Sequence, residues 1–89
     1  MHFRFSAEVD GYLRKLKRND PKTFELIKKQ LVWFESNPKH PSLKIHKLSG
    51  KLNGVWSLSI GLRLRLLYFI KDGEAWGYMI GTHDEVYKK

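Results

Sequence analysis

Three segments in which apolar and polar residues alternate constrain the fold of this 89-residue chain more than any other feature. Tight turns separate these runs. The runs cover Val55 to Ile60, Leu62 to Ile70 and Glu74 to Gly81. Gly61 separates the first two runs, and Asp72-Gly73, a dipeptide typical of hairpin turns, separates the last two. Alternation with a period of two residues is typical of β-strands that bury one face. We therefore predict three antiparallel strands arranged as a meander.

Two amphipathic helices are predicted ahead of this meander. Ser6 is a suitable N-cap for the first helix. Asp20 is a suitable N-cap for the second, with Pro21 in its first turn, and this helix should run from Pro21 to about Ser36. The short connection implies an antiparallel helical hairpin. The apolar helical faces comprise Val9, Tyr12, Leu13 and Leu16 in the first helix, and Phe24, Ile27, Leu31 and Phe34 in the second.

A short N-terminal strand is predicted from the alternation of His2 to Phe5. The chain is thus expected to form a single domain over residues 1–89 with an α+β fold, in which the helical hairpin packs on one face of the sheet. We also expect a short extended piece at Leu43–Ile45, and a turn or a single helical turn over residues 82–89. The side chains expected to face the helices are Trp56, Leu58, Leu64, Leu66, Tyr78 and Ile80. Arg63 and Arg65 should then lie on the opposite, open face.

The charge pattern points to a polyanionic ligand. The chain has a net charge of +8, and the 35 residues from Asn37 to Lys71 contain no Asp or Glu. Such a one-sign block in an apolar-rich segment favours phosphate as the partner. The alternative is a basic face that only keeps the protein soluble. The seven cationic residues of the block are Lys39, Lys44, Lys47, Lys51, Arg63, Arg65 and Lys71.

Candidate site residues lie in this block and near the C-terminus. If they share a strand, Arg63 and Arg65 emerge about 7 Å apart on one face, close to the spacing of successive phosphates. His46 and His83 could transfer protons, and Tyr87 would lie beside His83 on a helical turn. The chain has no cysteine, and its histidines lack the spacings of a metal site, so we expect no metal or other cofactor.

The neighbours of the two arginines suggest that part of the open face is covered. Leu67 and Phe69 continue the same face, and a purely solvated face would not carry Leu and Phe. We expect either the C-terminal segment or a partner chain to cover them.

Several of these motifs together resemble the RelE/ParE superfamily, the toxins of bacterial and archaeal type II toxin–antitoxin pairs. The sequence looks closest to the RelE-like and YafQ-like messenger-RNA interferases. The resemblance covers residues 40 to 87 by motif and the whole chain by the order of its elements. The motifs are His40-Pro41-Ser42-Leu43-Lys44, His46-Lys47-Leu48-Ser49-Gly50-Lys51-Leu52, Trp56-Ser57, Arg63-Leu64-Arg65 and Gly81-Thr82-His83-Asp84-Glu85-Val86-Tyr87.

The resemblance implies a ribosome-dependent, metal-free endoribonuclease that cuts the codon in the ribosomal A site. In that reaction the ribose 2′-hydroxyl attacks the adjacent phosphate, which leaves a 2′,3′-cyclic phosphate and a 5′-hydroxyl. The catalytic residues that the resemblance implies are His46, Lys51, Arg65, His83 and Tyr87. The residues expected to bind RNA phosphates are Lys44, Lys47, Lys51, Arg63 and Arg65.

The resemblance also implies partners and leaves other functions open. The expected partners are a cognate acidic antitoxin, the ribosome and its messenger RNA, with operator DNA bound only through the antitoxin complex. We expect Trp33 and the Leu67/Phe69 patch to be docking points for the antitoxin. No membrane partner is expected, and the expected location is the cytoplasm. The alternatives are a ParE-like inhibitor of DNA gyrase and a non-toxic, degenerate member of the fold that only binds nucleic acid.

Overall fold

The structure, a computed structural model, describes residues 1–48, 50 and 54–87. Five strands and three helices are present in this part of the chain, together with a 3₁₀ turn at Pro41–Leu43. No helix among the described residues is long and apolar enough to span a membrane. The strands are β1 (Phe3–Phe5), β2 (His46–Lys47), β3 (Trp56–Ile60), β4 (Leu64–Lys71) and β5 (Glu74–Thr82), and the helices are α1 (Ala7–Asn19), α2 (Pro21–Ser36) and α3 (His83–Tyr87).

The two long helices begin at the predicted caps. The Ser6 hydroxyl accepts a hydrogen bond from the Val9 N–H at 3.2 Å, which satisfies one of the free donors of the first turn of α1. The Asp20 carboxylate accepts bonds from the hydroxyl and the N–H of Thr23, and these bonds lower the pKa of Asp20. Pro21 follows in the first turn of α2. The predicted break between the helices is therefore confirmed.

The strands form one sheet in the order β1-β5-β4-β3-β2. The predicted meander is its centre, because β4 pairs antiparallel with both β3 and β5. At one edge β1 pairs parallel with β5, and at the other β2 pairs antiparallel with β3.

The prediction of a short extended piece at Leu43–Ile45 is wrong in its position. Residues Pro41–Leu43 form the 3₁₀ turn, Lys44 adopts a left-handed conformation with φ of 46°, and the strand begins only at His46.

The core lies between the helical hairpin and one face of the sheet, as predicted. Val9 of α1 and Ile27 and Phe34 of α2 are buried against the strands. The ring of Tyr68 packs edge-on against Phe34 at 5.4 Å, and burial raises the pKa of its hydroxyl to about 12. The strand residues of the buried cluster are Leu58, Ile60, Leu66, Tyr68 and Ala75.

An irregularity in the β4–β5 pairing reverses the faces of part of β5. Leu67 pairs with Met79, but the next residue, Tyr68, pairs with Gly77, so Tyr78 is an extra residue on β5. A one-residue shift moves each later side chain to the other face. The prediction that Tyr78 faces the helices is therefore wrong, and its ring lies 5.8 Å from that of Phe69 on the outer face. Ile80, which lies on the other side of the bulge, packs against the core as predicted.

The outer face of the sheet is partly covered by α3. Leu67 is 0% exposed and Val86 of α3 is 2% exposed, whereas Phe69 is 36% exposed. The Tyr87 hydroxyl donates to Ser57 Oγ at 2.8 Å, which attaches α3 to β3. The expected cover is thus the segment after β5, and its helical turn runs from His83 to Tyr87. Because Leu67 is buried under it, the expectation that Leu67 is an exposed docking point is wrong.

Candidate active site

Four predicted site residues come together at one cleft on the outer face. The cleft has a volume of about 510 Å³. The sheet order explains the convergence, because β2, β3 and β4 are neighbours, and α3 contacts β4 and reaches β3 through the Tyr87 hydroxyl. The residues that line the cleft are His46, Leu48, Arg65, His83 and Tyr87.

The guanidinium of Arg65 is held in place from two sides. Its Nη1 donates to Ser59 Oγ at 3.2 Å and to the Leu64 carbonyl at 3.1 Å. Ser59 lies opposite Arg65 in the β3–β4 pairing, so both partners belong to the sheet. The other N–H groups of Arg65 have no partner among the described residues. A half-buried guanidinium with free donors is suited to bind a phosphate oxygen.

The two α3 residues of the cleft form a second group. The rings of His83 and Tyr87 lie 4.4 Å apart between centroids, and the Tyr87 hydroxyl donates to the buried Ser57. A reciprocal pair of bonds begins the helix: Thr82 N–H donates to the Glu85 carboxylate at 2.8 Å, and Glu85 N–H donates to the Thr82 hydroxyl at 3.2 Å. This capping box fixes the turn that carries His83. The His83 side chain itself is 70% exposed and lies 3.7 Å from the carboxylate of Asp84.

His46 faces the cleft from β2 with a defined pattern of hydrogen bonds. Its Nδ1 lies 3.2 Å from the Lys44 carbonyl, which can only accept. In the neutral ring Nδ1 therefore carries the hydrogen, and Nε2 is left as an acceptor. Nε2 has no partner among the described residues, so it can take a proton from a ligand.

The other predicted phosphate-binding residues do not line this cleft. Arg63 belongs to the turn before β4 and lines a different cleft with Tyr12 and Asp20. The prediction that Arg63 and Arg65 share one face of a strand is therefore wrong, because the strand begins only at Leu64. Lys47 lies with its ammonium 6.0 Å from the Trp56 ring, and Lys44 lines hollows on the helical side. Lys51 lies outside the described residues.

Three supporting residues were missed by the sequence reasoning. Ser57 holds Tyr87, Ser59 holds Arg65, and the buried Gln30 of α2 donates to the carbonyls of Ser42 and Ser59. A signal existed for each of them. The two serines alternate with the apolar residues of the first predicted strand of the meander, and Gln30 interrupts the apolar face between Ile27 and Phe34. A polar residue at such a position must be hydrogen-bonded when it is buried.

The cleft combines the groups that phosphate-ester chemistry requires. Arg65 offers a fixed positive charge, two imidazoles can accept or donate protons, and Tyr87 offers an aromatic ring with an anchored hydroxyl. Among the described residues no group of three or more His, Asp or Glu side chains could hold a metal ion.

Comparison with solved structures shows which known fold this chain has. No protein-family model matches the sequence, and a search of curated proteins finds no match. Several solved structures match over nearly the whole chain, at sequence identities of 18–24%. The chain has the fold of the RelE-like toxins, as the resemblance implied.

Three of these structures show how far the likeness extends. A YoeB/ParE toxin from Agrobacterium tumefaciens superposes with a TM-score of 0.78 at 19% identity, covering 93% of this chain and 99% of the toxin. YafQ from E. coli gives a TM-score of 0.75 at 18% identity, with 96% of each chain covered. YoeB in its heterotetrameric toxin–antitoxin complex with YefM from Staphylococcus aureus gives 0.77 at 24% identity, covering 93% of this chain and 97% of that one.

Proposed function

We propose that this protein is the toxin of a type II toxin–antitoxin pair and that it cleaves messenger RNA on the ribosome. The observation that carries the proposal is the convergence of His46, Arg65, His83 and Tyr87 on one cleft, although these residues are up to 41 positions apart in sequence. The fold supports it, because the structurally similar proteins are named as toxins.

We assign the steps of cleavage from the hydrogen bonds. Nε2 of His46 accepts the proton of the ribose 2′-hydroxyl, and the 2′-oxygen forms a bond to the adjacent phosphorus. The bond from phosphorus to the 5′-oxygen of the next nucleotide breaks, and that oxygen takes a proton from the His83 imidazolium. The products are a 2′,3′-cyclic phosphate and a 5′-hydroxyl, and no proton is gained or lost overall.

Arg65 and Tyr87 act on the phosphate and the base in this scheme. The free N–H donors of Arg65 bind the non-bridging oxygens, whose negative charge grows in the phosphorane. Tyr87 offers its ring as a stacking surface for an unpaired base, because its hydroxyl is bound to Ser57 and keeps the ring in place. Lys47, Lys44 and Arg63 lie away from the cleft, so we assign them no contact with the scissile phosphate.

An antitoxin is the protein partner that fits this proposal. A net charge of +8 favours an acidic partner, which would be attracted to the surface and would screen it from RNA. The S. aureus YoeB structure contains its antitoxin YefM. By analogy we propose a cognate acidic antitoxin here, with operator DNA bound only through the complex.

The test is inducible expression in cells, followed by mapping of messenger-RNA 5′ ends. Arg65→Ala is compared with Arg63→Ala, which removes the same charge from the turn outside the cleft. We expect in-frame cuts with the unaltered protein and with Arg63→Ala, and an about 100- to 1,000-fold loss of cleavage with Arg65→Ala. His83→Ala should also lose cleavage, because the departing 5′-oxygen would lack its proton donor.

The alternatives give different results in the same cells. Growth arrest without cuts, together with inhibited supercoiling by purified gyrase, would identify a gyrase poison instead. Folded protein that neither arrests growth nor cuts RNA would identify a degenerate member of the fold. Equal cleavage by Arg65→Ala and Arg63→Ala would remove Arg65 from the proposed site.

A further inference from the structure

A second positively charged surface lies on the helical side of the sheet, at the edge formed by β2. Two adjoining hollows with volumes of about 450 and 400 Å³ share His40 and Lys44 in their walls. Lys29 of α2 lines the first hollow and Lys39 lines the second. We call these four residues, Lys29, Lys39, His40 and Lys44, the basic edge. No Asp or Glu lines either hollow.

The charges of the basic edge are not compensated within the described part of the chain. Among the described residues, three lysine or arginine side chains form ion pairs with acids, namely Arg4–Glu74, Arg14–Asp10 and Lys28–Glu25, and none of them belongs to this edge. No residue of the basic edge forms an ion pair with a described acid. A surface that only maintains solubility normally mixes charges of both signs, so this local imbalance favours an anionic ligand.

His40 is held so that one ring nitrogen is presented to a ligand. Its ring stacks on Trp33 with centroids 3.9 Å apart, and its Nδ1 accepts the N–H of Ser42 at 3.2 Å. Because Nδ1 is an acceptor, Nε2 carries the hydrogen in the neutral ring. Nε2 has no partner among the described residues. His40 is therefore an oriented donor in hollows that lysines also line, which suits a phosphate oxygen.

The basic edge is linked to the cleft through Lys44. Lys44 lines both hollows, and its carbonyl accepts the hydrogen bond from His46, which faces the cleft. The chain from Lys44 to His46 thus passes from the helical side to the outer face around the end of the sheet. β2 is the edge strand of the sheet and is only two residues long, so the helical side and the outer face lie close together here.

We propose that the basic edge binds the phosphates of single-stranded RNA that continues from the cleft around the β2 edge. This inference rests on the proposed function of the cleft, because the cleft is where the strand would begin. The ligand class is the sugar–phosphate backbone, since the donors are ammonium and imidazole groups that read no base edge.

Binding is measured with single-stranded RNA that is methylated at every 2′-oxygen and so cannot be cut. Two lengths are used, a trinucleotide that fills only the cleft and a strand several times longer. Lys39→Gln/Lys44→Gln is compared with Lys15→Gln/Lys22→Gln, which removes two exposed charges from α1 and α2 outside the basic edge. For the longer strand we expect the slope of log K against log salt to fall by about 1.4 in the first variant only. Binding of the trinucleotide should be unchanged by either variant.

Other outcomes overturn the inference. Equal slopes for the two double variants would show that these lysines attract RNA only through net charge. Weaker binding to vacant ribosomes without any change on the longer strand would assign the surface to ribosomal RNA. Weaker binding to poly-glutamate, with RNA binding unchanged, would assign it to an acidic protein. Cleavage is not measured here, so failure of the proposed function in cells leaves this result interpretable.

Discussion

Gln30 is the buried polar residue on which both site-bearing segments depend. It is 4% exposed, and its Nε2 donates to the Ser42 carbonyl at 3.1 Å and to the Ser59 carbonyl at 3.0 Å. Ser42 belongs to the 3₁₀ turn that precedes His46, and Ser59 holds Arg65. One amide of α2 therefore positions the loop before β2 and the strand behind the cleft.

Gln30→Met keeps the length of the side chain but removes both donors. The two carbonyls then lose their partner, at about 1–3 kcal/mol for each buried group. The Ser42 carbonyl is only partly buried and can be rehydrated, so we place the total at about 2–4 kcal/mol. That is a large share of the roughly 5–15 kcal/mol that stabilises a protein of this kind. The melting temperature should fall by roughly 10–25 °C.

Urea denaturation measures this loss, with Ser42→Ala as the matched control. That variant removes only the 3.4 Å contact to Gln30 Oε1 and the contact to His40, and it keeps both carbonyl bonds. It should cost less than about 1 kcal/mol. If Gln30→Met is as stable as Ser42→Ala at equal denaturant slope, the two carbonyl bonds do not hold the segments together.

Three further predictions concern the core, the α3 attachment and the turn before β4. Burial raises the pKa of Tyr68 to about 12, so the unfolded chain loses this proton at a lower pH than the folded protein does. The free energy of unfolding should therefore be unchanged below pH 10 and fall by about 2–3 kcal/mol towards pH 12. In alkaline denaturation curves, Tyr68→Phe should lack this part of the decrease. A double-mutant cycle of Tyr87→Phe and Ser57→Ala should give a coupling energy of about 0.5–1.5 kcal/mol in urea, and a coupling of zero would mean that the 2.8 Å bond does not attach α3. Gly61→Ala should destabilise by roughly 1–3 kcal/mol because its φ is +61°. It should cost slightly more than Gly54→Ala, because the added Cβ would lie 2.9 Å from the end of the exposed Leu26 side chain, which must move aside. Gly54, with φ of +87° and nothing within 4 Å, is the control for that thermal-melting comparison.

The helices and the meander could be predicted because local signals determine them. Ser6, Asp20 and Pro21 mark helix starts by chemistry that needs no tertiary partner, and α2 runs over the predicted residues. The alternation of β3 and β4 likewise follows from burial of one face. The pairing of β1 beside β5 could not be read from a three-residue run, because parallel partners are set by the packing of the intervening helices.

The bulge and the turn show where period-two reasoning fails. An alternating sequence contains no mark of an inserted residue, so strict alternation placed Tyr78 on the wrong face. Trp76, beyond the bulge, also lies on the outer face, where the Arg4 guanidinium is 5.9 Å from its ring centroid. The prediction that Arg63 lies on the strand beside Arg65 is wrong for a related reason. The turn between β3 and β4 includes Gly61 to Arg63, so Arg63 is not part of the strand.

The sequence could predict which residues form the candidate site, but it could not predict the hydrogen bonds that hold them in place. Arg65, His46, His83 and Tyr87 stand out in the sequence by chemistry, and the structure brings them to one cleft. Their orientation depends on serine partners on β3 and on a backbone carbonyl, whose positions follow only from strand register. Sequence spacing alone could therefore suggest the members of the site but not the tautomer of His46 or the anchoring of Arg65.

The hydrogen bonds to β3 also divide the cleft residues into a fixed group and a less restrained group. This division affects how the cleft can bind a ligand. Arg65 and Tyr87 are tied to buried serines of β3, so their positions cost no further ordering when a ligand binds. His83 is exposed, and its Nδ1 lies 3.7 Å from a neighbouring exposed carboxylate. The group that donates a proton to the departing oxygen in the proposed mechanism is thus the one whose placement depends most on the ligand. In the proposed mechanism, an RNA that contacts His83 from its exposed side would order the imidazole and complete the site on binding.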